Sequence, residues 1–219
     1  MEKIRLWDLP TRLFHWLFAV AVLGAIVTDL LENITLHSYF GYSALVLVIF
    51  RIIWGFVGPH HARFSSFVPS VSSLKAFLKD QTVSPLGHNP LGALSVIAML
   101  LIVLVQASSG LFTDDEISFQ GPLSKFLSED MVKFMNQIHE TNHVLVYGIV
   151  ALHFIAIFYY QRIKKNNLIG PMVYGDKEID PKNQPVDQTL ASKDDVKIRV
   201  LAGVLLIVLI VIFRYFVLT

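Results

Sequence analysis

The chain contains no cysteine. That absence excludes covalent attachment of a c-type haem through Cys-x-x-Cys-His, an iron–sulfur cluster held by thiolates, and any disulfide. Charge is also scarce: Asp, Glu, Lys and Arg make up 16% of the 219 residues against 54% hydrophobic ones. With a mean hydropathy of +0.57 and apolar runs too long for soluble helices, the composition specifies an integral membrane protein. Lipid is its main surroundings, and nucleic acid is not an expected partner.

Hydropathy predicts an all-α fold with five spans, at 13–31, 38–58, 91–112, 140–161 and 199–217. No small-residue cleavage site lies near Leu30, and the first span begins abruptly after Arg12, which favours a retained helix over a cleaved signal peptide. The expected organisation is a four-helix transmembrane bundle over 1–166, a polar linker over 167–198 that carries Pro181 and Pro185, and a C-terminal helix over 199–219. The fifth span has no histidine, and Arg214 with Tyr215 reads as an interface anchor.

Lys and Arg are absent from one set of loops except for Lys125 and Lys133. The other set holds Lys3, Arg5, Arg12, Arg63, Lys75, Lys79, Arg162, Lys164, Lys165 and the linker lysines, including Lys177 and Lys182. By the positive-inside rule the N-terminus is expected in the cytoplasm and, after five spans, the C-terminus outside. The outer loops concentrate acid instead, with Asp29 and Glu32 in the first and Asp114, Asp115, Glu116, Glu129 and Asp130 in the second.

Alternating helix direction then assigns depths to the histidines. His15 opens the first helix on the cytoplasmic side, His37 opens the second on the outer side, and His139 opens the fourth on the outer side. His153 lies fourteen residues further along the fourth helix. Fourteen steps of about 100° fall about 40° short of four turns, so His139 and His153 share a face at levels about 21 Å apart. The pairs are therefore His15 with His153 and His37 with His139. Imidazoles inside a membrane need partners. Two from facing helices can clamp a haem iron from both axial positions, and without cysteine the haem is b-type, so two stacked haems are expected.

His143 competes with His139. It is about 80° off the face of His153 and only about 15 Å from it, which favours His139 as ligand and His143 as a haem-edge or propionate contact. Arg51 lies fourteen residues beyond His37. It suits bidentate pairing with a propionate of the cytoplasmic-side haem, or snorkelling to headgroups past Trp54, and both readings stay open. Gly41 reads as a helix-packing residue, with close approach of a porphyrin to the backbone as the alternative, and His60, His61 and His88 read as solvated loop residues, with a quinone or proton site there as the alternative.

Several stretches resemble one family over most of the first 175 positions: WDLPTRLFHW (7–16), HSYFGYSALVLVIFRIIWGFVGPHHARF (37–64), HNPLGALSVIAMLLIVLVQASSGLF (88–112), HETNHVLVYGIVALH (139–153) and NNLIGPMVYG (166–175). They resemble the prokaryotic di-haem cytochrome b561 proteins, in the branch that includes the b-type cytochrome subunit of nickel–iron hydrogenases. The resemblance implies a four-helix bundle in a bacterial inner membrane, two haems b, and axial ligands at His15, His37, His139 and His153. The fifth helix departs from the commoner pattern.

The expected activity is electron transfer through stacked haems between the quinone pool and a redox partner, either a c-type cytochrome or a dehydrogenase subunit on the periplasmic side. The acidic outer loop suits a basic partner surface. A stand-alone oxidoreductase that passes electrons from superoxide to quinone is the alternative within the family. A divalent-metal transporter fits less well, because these imidazoles lie toward opposite faces and the first, second and fourth spans carry no carboxylate at mid-depth. A cofactor-free anchor leaves four buried histidines unexplained.

Overall fold

The computed structural model describes residues 2–79, 87–179 and 191–217. Its elements in chain order are β1 (Glu2–Arg5), α1 (Leu9–Leu30), α2 (Ile34–Val57), α3 (Phe64–Phe67), α4 (Val71–Lys79), α5 (Pro90–Gly110), α6 (Glu129–Phe158), α7 (Ile169–Tyr174), β2 (Asp176–Ile179) and α8 (Val196–Val217). Five of the helices, α1, α2, α5, α6 and α8, are long and apolar enough to cross a membrane. The protein is an all-α membrane protein with one small β-ribbon.

Helix starts follow from short polar residues placed just ahead of the apolar runs. Oδ1 of Asp8 accepts from the Thr11 amide at 2.9 Å, Asn33 from Leu36 at 3.1 Å, Asn89 from Gly92 at 2.7 Å and Asp195 from Ile198 at 2.9 Å. Each satisfies one of the amides that a first helical turn leaves without a partner. Pro10 and Pro90 sit in first turns, where a missing N–H costs nothing.

Four of the long helices lie within about one turn of the expected spans. The exception is α6, which starts at Glu129 rather than at 140, so His139 lies about three turns inside the helix instead of at its beginning. Glu129 and Asp130 occupy its first turn, where carboxylates favour the positive end of the helix dipole. The segment that follows them is helical but too polar for a hydropathy window to include.

The chain divides into two compact units. The first comprises Met1–Phe14, Arg51–Ile97 and His153–Gly203. In it β1 pairs antiparallel with β2, from Glu2 opposite Ile179 to Arg5 opposite Asp176. Gly175 links α7 to β2 at φ +91°, and a Cβ there would meet the Trp7 carbonyl oxygen at 2.9 Å. Its own carbonyl accepts from the amides of Leu6 and Trp7 at 2.8 and 3.1 Å. Only glycine takes up this left-handed turn without strain while allowing so close an approach.

Asp194 gathers the two ends of the chain within that unit. Its side chain, 7% exposed, meets Arg5 at 3.2 Å, Arg12 at 3.9 Å and Arg199 at 3.0 Å, and accepts from the Leu9 amide at 3.2 Å. Burial pushes this carboxyl upward, but the bonds from Arg199 and Leu9 and the nearby guanidinium charges outweigh it and hold the group below its ordinary range. Residues expected to be plain linker therefore include α7 and β2, which pack on the N-terminal strand. Pro181, Lys182 and Pro185 lie outside the described residues.

The second unit comprises His15–Phe50, Ala98–Leu152 and Val204–Thr219. Its core is aliphatic and aromatic, including Phe18, Val22, Leu45, Val48, Phe50, Leu100, Val103 and Val146.

Candidate cofactor site

Within the second unit, α2 and α6 bring the rings of His37 and His139 together edge to face. The ring centres are 6.2 Å apart and the ring planes lie at 85°. His37 places Nδ1 3.0 Å from the carbonyl oxygen of Ala25, and His139 places Nδ1 3.0 Å from the carbonyl oxygen of Gln106. A carbonyl can only accept, so in both rings the proton sits on Nδ1 and Nε2 keeps its lone pair. This arrangement recurs in metal-binding histidines, where a bond from the distal nitrogen fixes the tautomer and orients the ring.

The helix α5 supplies the hydrogen-bond partners of the His139 ring. Ser109 Oγ donates to the Gln106 carbonyl at 3.0 Å and lies 3.1 Å from His139 Nδ1. The Gln106 side chain donates from Nε2 to the His139 carbonyl at 3.2 Å, and its Oε1 accepts from Asn142 Nδ2 at 2.8 Å. A Cβ on Gly110 would sit 3.0 Å from His139 Cε1.

Two cavities of about 270 and 260 Å³ share Asp29, His37, Gly41, Ala107, His139 and Glu140, so the histidine pair stands at their common border. One extends to Thr113, Asp114 and Phe119, and the other to Val22, Val103, His143 and Tyr147. Gly41 does not serve helix packing here: a Cβ on it would meet nothing within 4 Å.

These residues fit a haem on three observations. Two imidazoles bound trans to one metal, with bonds of about 2 Å, hold their ring centres about 6 Å apart, close to the 6.2 Å separation of His37 and His139. Both Nε2 atoms are left as lone-pair donors. Open space lies against the pair: one cavity has an apolar side at Val22, Ala25, Ile26, Ala44, Val103 and Val146 that suits a macrocycle, and the other is lined by polar and acidic groups, Asp29, Asp114, Asp115 and Glu140 among them. His143 lines one of the cavities and is edge-on to Tyr147 at 5.4 Å; the structure pairs His37 with His139 and not with His143.

His15, also in this unit, is half-buried with its ring edge-on to Trp16 at 5.0 Å. In the first unit His153 is half-buried beside Phe154, with ring centres 6.1 Å apart.

Arg51 is 3% exposed and does not snorkel outward. Its guanidinium carbon lies 5.1 Å from the Phe64 ring centre and 5.8 Å from that of Phe67, and Nη1 has no hydrogen-bond partner among the described residues. A buried guanidinium with an unbonded N–H suits an incoming carboxylate. The expectation that His61 and His88 are solvated loop residues is corrected. The short 3₁₀ turn His60–Ala62 folds inward, His61 is 9% exposed, and His88 stacks with Trp7 at 4.8 Å and Phe67 at 4.7 Å.

Sequence reasoning passed over Gln106, Ser109 and Asn142. The signal was present, since Gln106 and Asn142 are polar residues inside apolar spans, where an amide without a partner is costly. A search confined to metal-ligating residue types does not register them.

Residues 6–175 match the family described as prokaryotic cytochrome b561. The chain belongs to that family. Relatives include proteins named probable Ni/Fe-hydrogenase B-type cytochrome subunit in three bacteria. The one from Azotobacter chroococcum is 25% identical, with 80% of this chain and 90% of the relative covered. The one from Bradyrhizobium diazoefficiens is 20% identical, with 80% and 86% covered. That from Azotobacter vinelandii is 26% identical, with 46% and 57% covered. This cytochrome b561 is thus a multi-pass membrane protein of electron transport that carries haem b.

Proposed function

We propose that this cytochrome b561 carries two haems b and conducts electrons across a bacterial inner membrane, between the quinone pool and a redox partner. The observation that carries the reading is the opposition of His37 and His139 at 6.2 Å, each with Nδ1 given to a backbone carbonyl. His37 and His139 would hold the outer haem, and spacing along the sequence together with the family resemblance supports His15 and His153 as ligands of the other. His143 borders the outer haem, and Arg51 pairs with a propionate of the inner one. Bound haem iron supplies reversible one-electron chemistry.

The protein's own residues supply orientation and exclusion of water. The carbonyls of Ala25 and Gln106 fix the tautomer and the orientation of both imidazoles. The aliphatic walls at Val22, Val103 and Val146 keep the site dry, and Gly41 leaves room for a planar group. The N-terminus is cytoplasmic, so the histidine pair of α2 and α6 lies toward the periplasm.

The partner we infer is a dehydrogenase subunit of the hydrogenase type, because relatives aligned over most of their length bear that name. Native-membrane copurification tests this. A stoichiometric redox subunit supports it, whereas a solitary chain that reduces quinone with superoxide replaces it with a stand-alone oxidoreductase. The cofactor reading is tested by a reduced-minus-oxidised spectrum with a pyridine haemochrome count. Two non-covalent haems b per chain are expected, and purified protein with one haem or none defeats the reading.

A further inference from the structure

The ligand-bearing helices are α1, α2 and α6 in the reading above; α5 carries no histidine within its apolar run, yet its end is organised around one. The Gln106 carbonyl accepts from His139 Nδ1 at 3.0 Å, and the Gln106 amide donates to the His139 carbonyl at 3.2 Å, so one residue grips the histidine by ring and by backbone. Asn142, 8% exposed and one turn beyond His139, donates from Nδ2 both to Gln106 Oε1 at 2.8 Å and to the Ile102 carbonyl at 3.0 Å. Ser109 supplies a second acceptor, 3.1 Å from Nδ1, while its own proton goes to the Gln106 carbonyl. Gly110 leaves its side-chain space to the ring, whose Cε1 would lie 3.0 Å from a Cβ.

We propose that Gln106, Ser109 and Asn142 are positioning residues that lock the rotation and Nδ1 hydrogen bond of His139 and thereby set the electronic character of the haem it ligates. This rests on the two-haem reading above. The physical basis is twofold. Three hydrogen bonds from side-chain amides across the α5–α6 contact fix the axial register of the helices, because sliding either by one residue breaks all of them in an apolar setting that offers no replacement. A hydrogen bond from Nδ1 to two acceptors moves electron density toward Nε2, which favours ferric over ferrous iron. Weakening it shifts the balance toward the reduced form.

The test uses full-length holoprotein and two readouts other than activity: the low-spin ferric EPR spectrum, which senses ring orientation, and the midpoint potentials of both haems. Ser109→Ala and Gln106→Leu are compared with the conservative Ser109→Thr, which keeps a hydroxyl. The expected result is two haems per chain in Ser109→Ala, a displaced EPR signal from one haem only, and about a tenfold shift of that haem toward the reduced form, equivalent to about 59 mV for one electron. Ser109→Thr should restore both. Gln106→Leu should give a larger change of the same kind or release that haem.

Unchanged spectra and potentials in Ser109→Ala, with both haems bound, overturn the proposal even if Gln106→Leu loses haem, since that loss alone would reflect packing. A wild-type protein lacking two haems, or one in which His139→Ala spares both, overturns the cofactor reading instead, so the two failures are distinct.

Discussion

At the scale of single residues the question is which imidazole on α6 faces α2. Arithmetic on helix geometry points to His139 over His143, since a fourteen-residue spacing returns to nearly the same face and a ten-residue spacing does not. In the structure His139 opposes His37, and His143 stands against Tyr147. The proposed ligand roles then make an asymmetric prediction: His139→Ala loses one haem of two, while His143→Ala keeps both with at most a small spectral shift. Haemochrome counts on the two variants decide it, and the reverse pattern sinks the assignment. Gly41 gives a second prediction. Its open surroundings admit a methyl group, so Gly41→Ala should keep both haems, whereas Gly41→Leu should fill the shared cavity space and lose one, with helical circular dichroism unchanged. Sequence could not assign Gly41 to a cavity, because small residues in membrane helices serve packing and cofactor clearance with the same pattern.

At the scale of elements, the five long helices were legible because hydropathy reports them directly, and their polar extensions were not. The start of α6 at Glu129 and the ribbon β1–β2 escape any window that averages apolarity. What fixes the ribbon is a long-range ion cluster around Asp194, and a residue that meets Arg5 across most of the chain leaves no local pattern. Asp8 caps α1 and has a second duty, which is to accept from Trp54 Nε1 at 3.3 Å while fully buried. Asp8→Ala should remove the cap and the acceptor of the bond from Trp54 Nε1, costing about 1–2 kcal/mol, readable as earlier loss of helicity in a denaturant titration. A variant as stable as wild type would show that this cap contributes nothing. Asp194 makes a prediction about pH. Its folded pKa lies below the ordinary carboxylate value, so its contribution is present at neutral pH and is lost as pH falls through the folded value, well into the acid range. Protection factors at the amides of β1 and β2, taken relative to the intrinsic exchange rate at each pH, should therefore fall on acidification, and Asp194→Asn should show the same lowered protection already at pH 7.

At the scale of the whole molecule, orientation is the property on which the direction of function depends, and it rests on sorted charge. The connections between α2 and α5 and after α6 carry most of the Lys and Arg, and the connection between α5 and α6 carries Lys125 with Asp114, Asp115 and Glu116. Each positive charge moved across the bilayer during insertion opposes the membrane potential, about 2.3 kcal/mol per charge at 100 mV, so several charges on one side favour the threading that keeps them in the cytoplasm. The absence of cysteine makes this testable on a clean background. Ile117, 94% exposed between α5 and α6, and Val71, 71% exposed in α4, are suited to single substitutions to Cys. In spheroplasts treated with a membrane-impermeant maleimide, Ile117→Cys should react at once and Val71→Cys only after permeabilisation. The same loop is predicted to dock a basic partner surface, so partner reduction should slow severalfold between low and physiological ionic strength, where screening shortens to about 8 Å. Labelling of Val71→Cys from outside would invert the orientation and would place the acidic loop in the cytoplasm, so a salt-dependent periplasmic docking step could no longer be assigned to it.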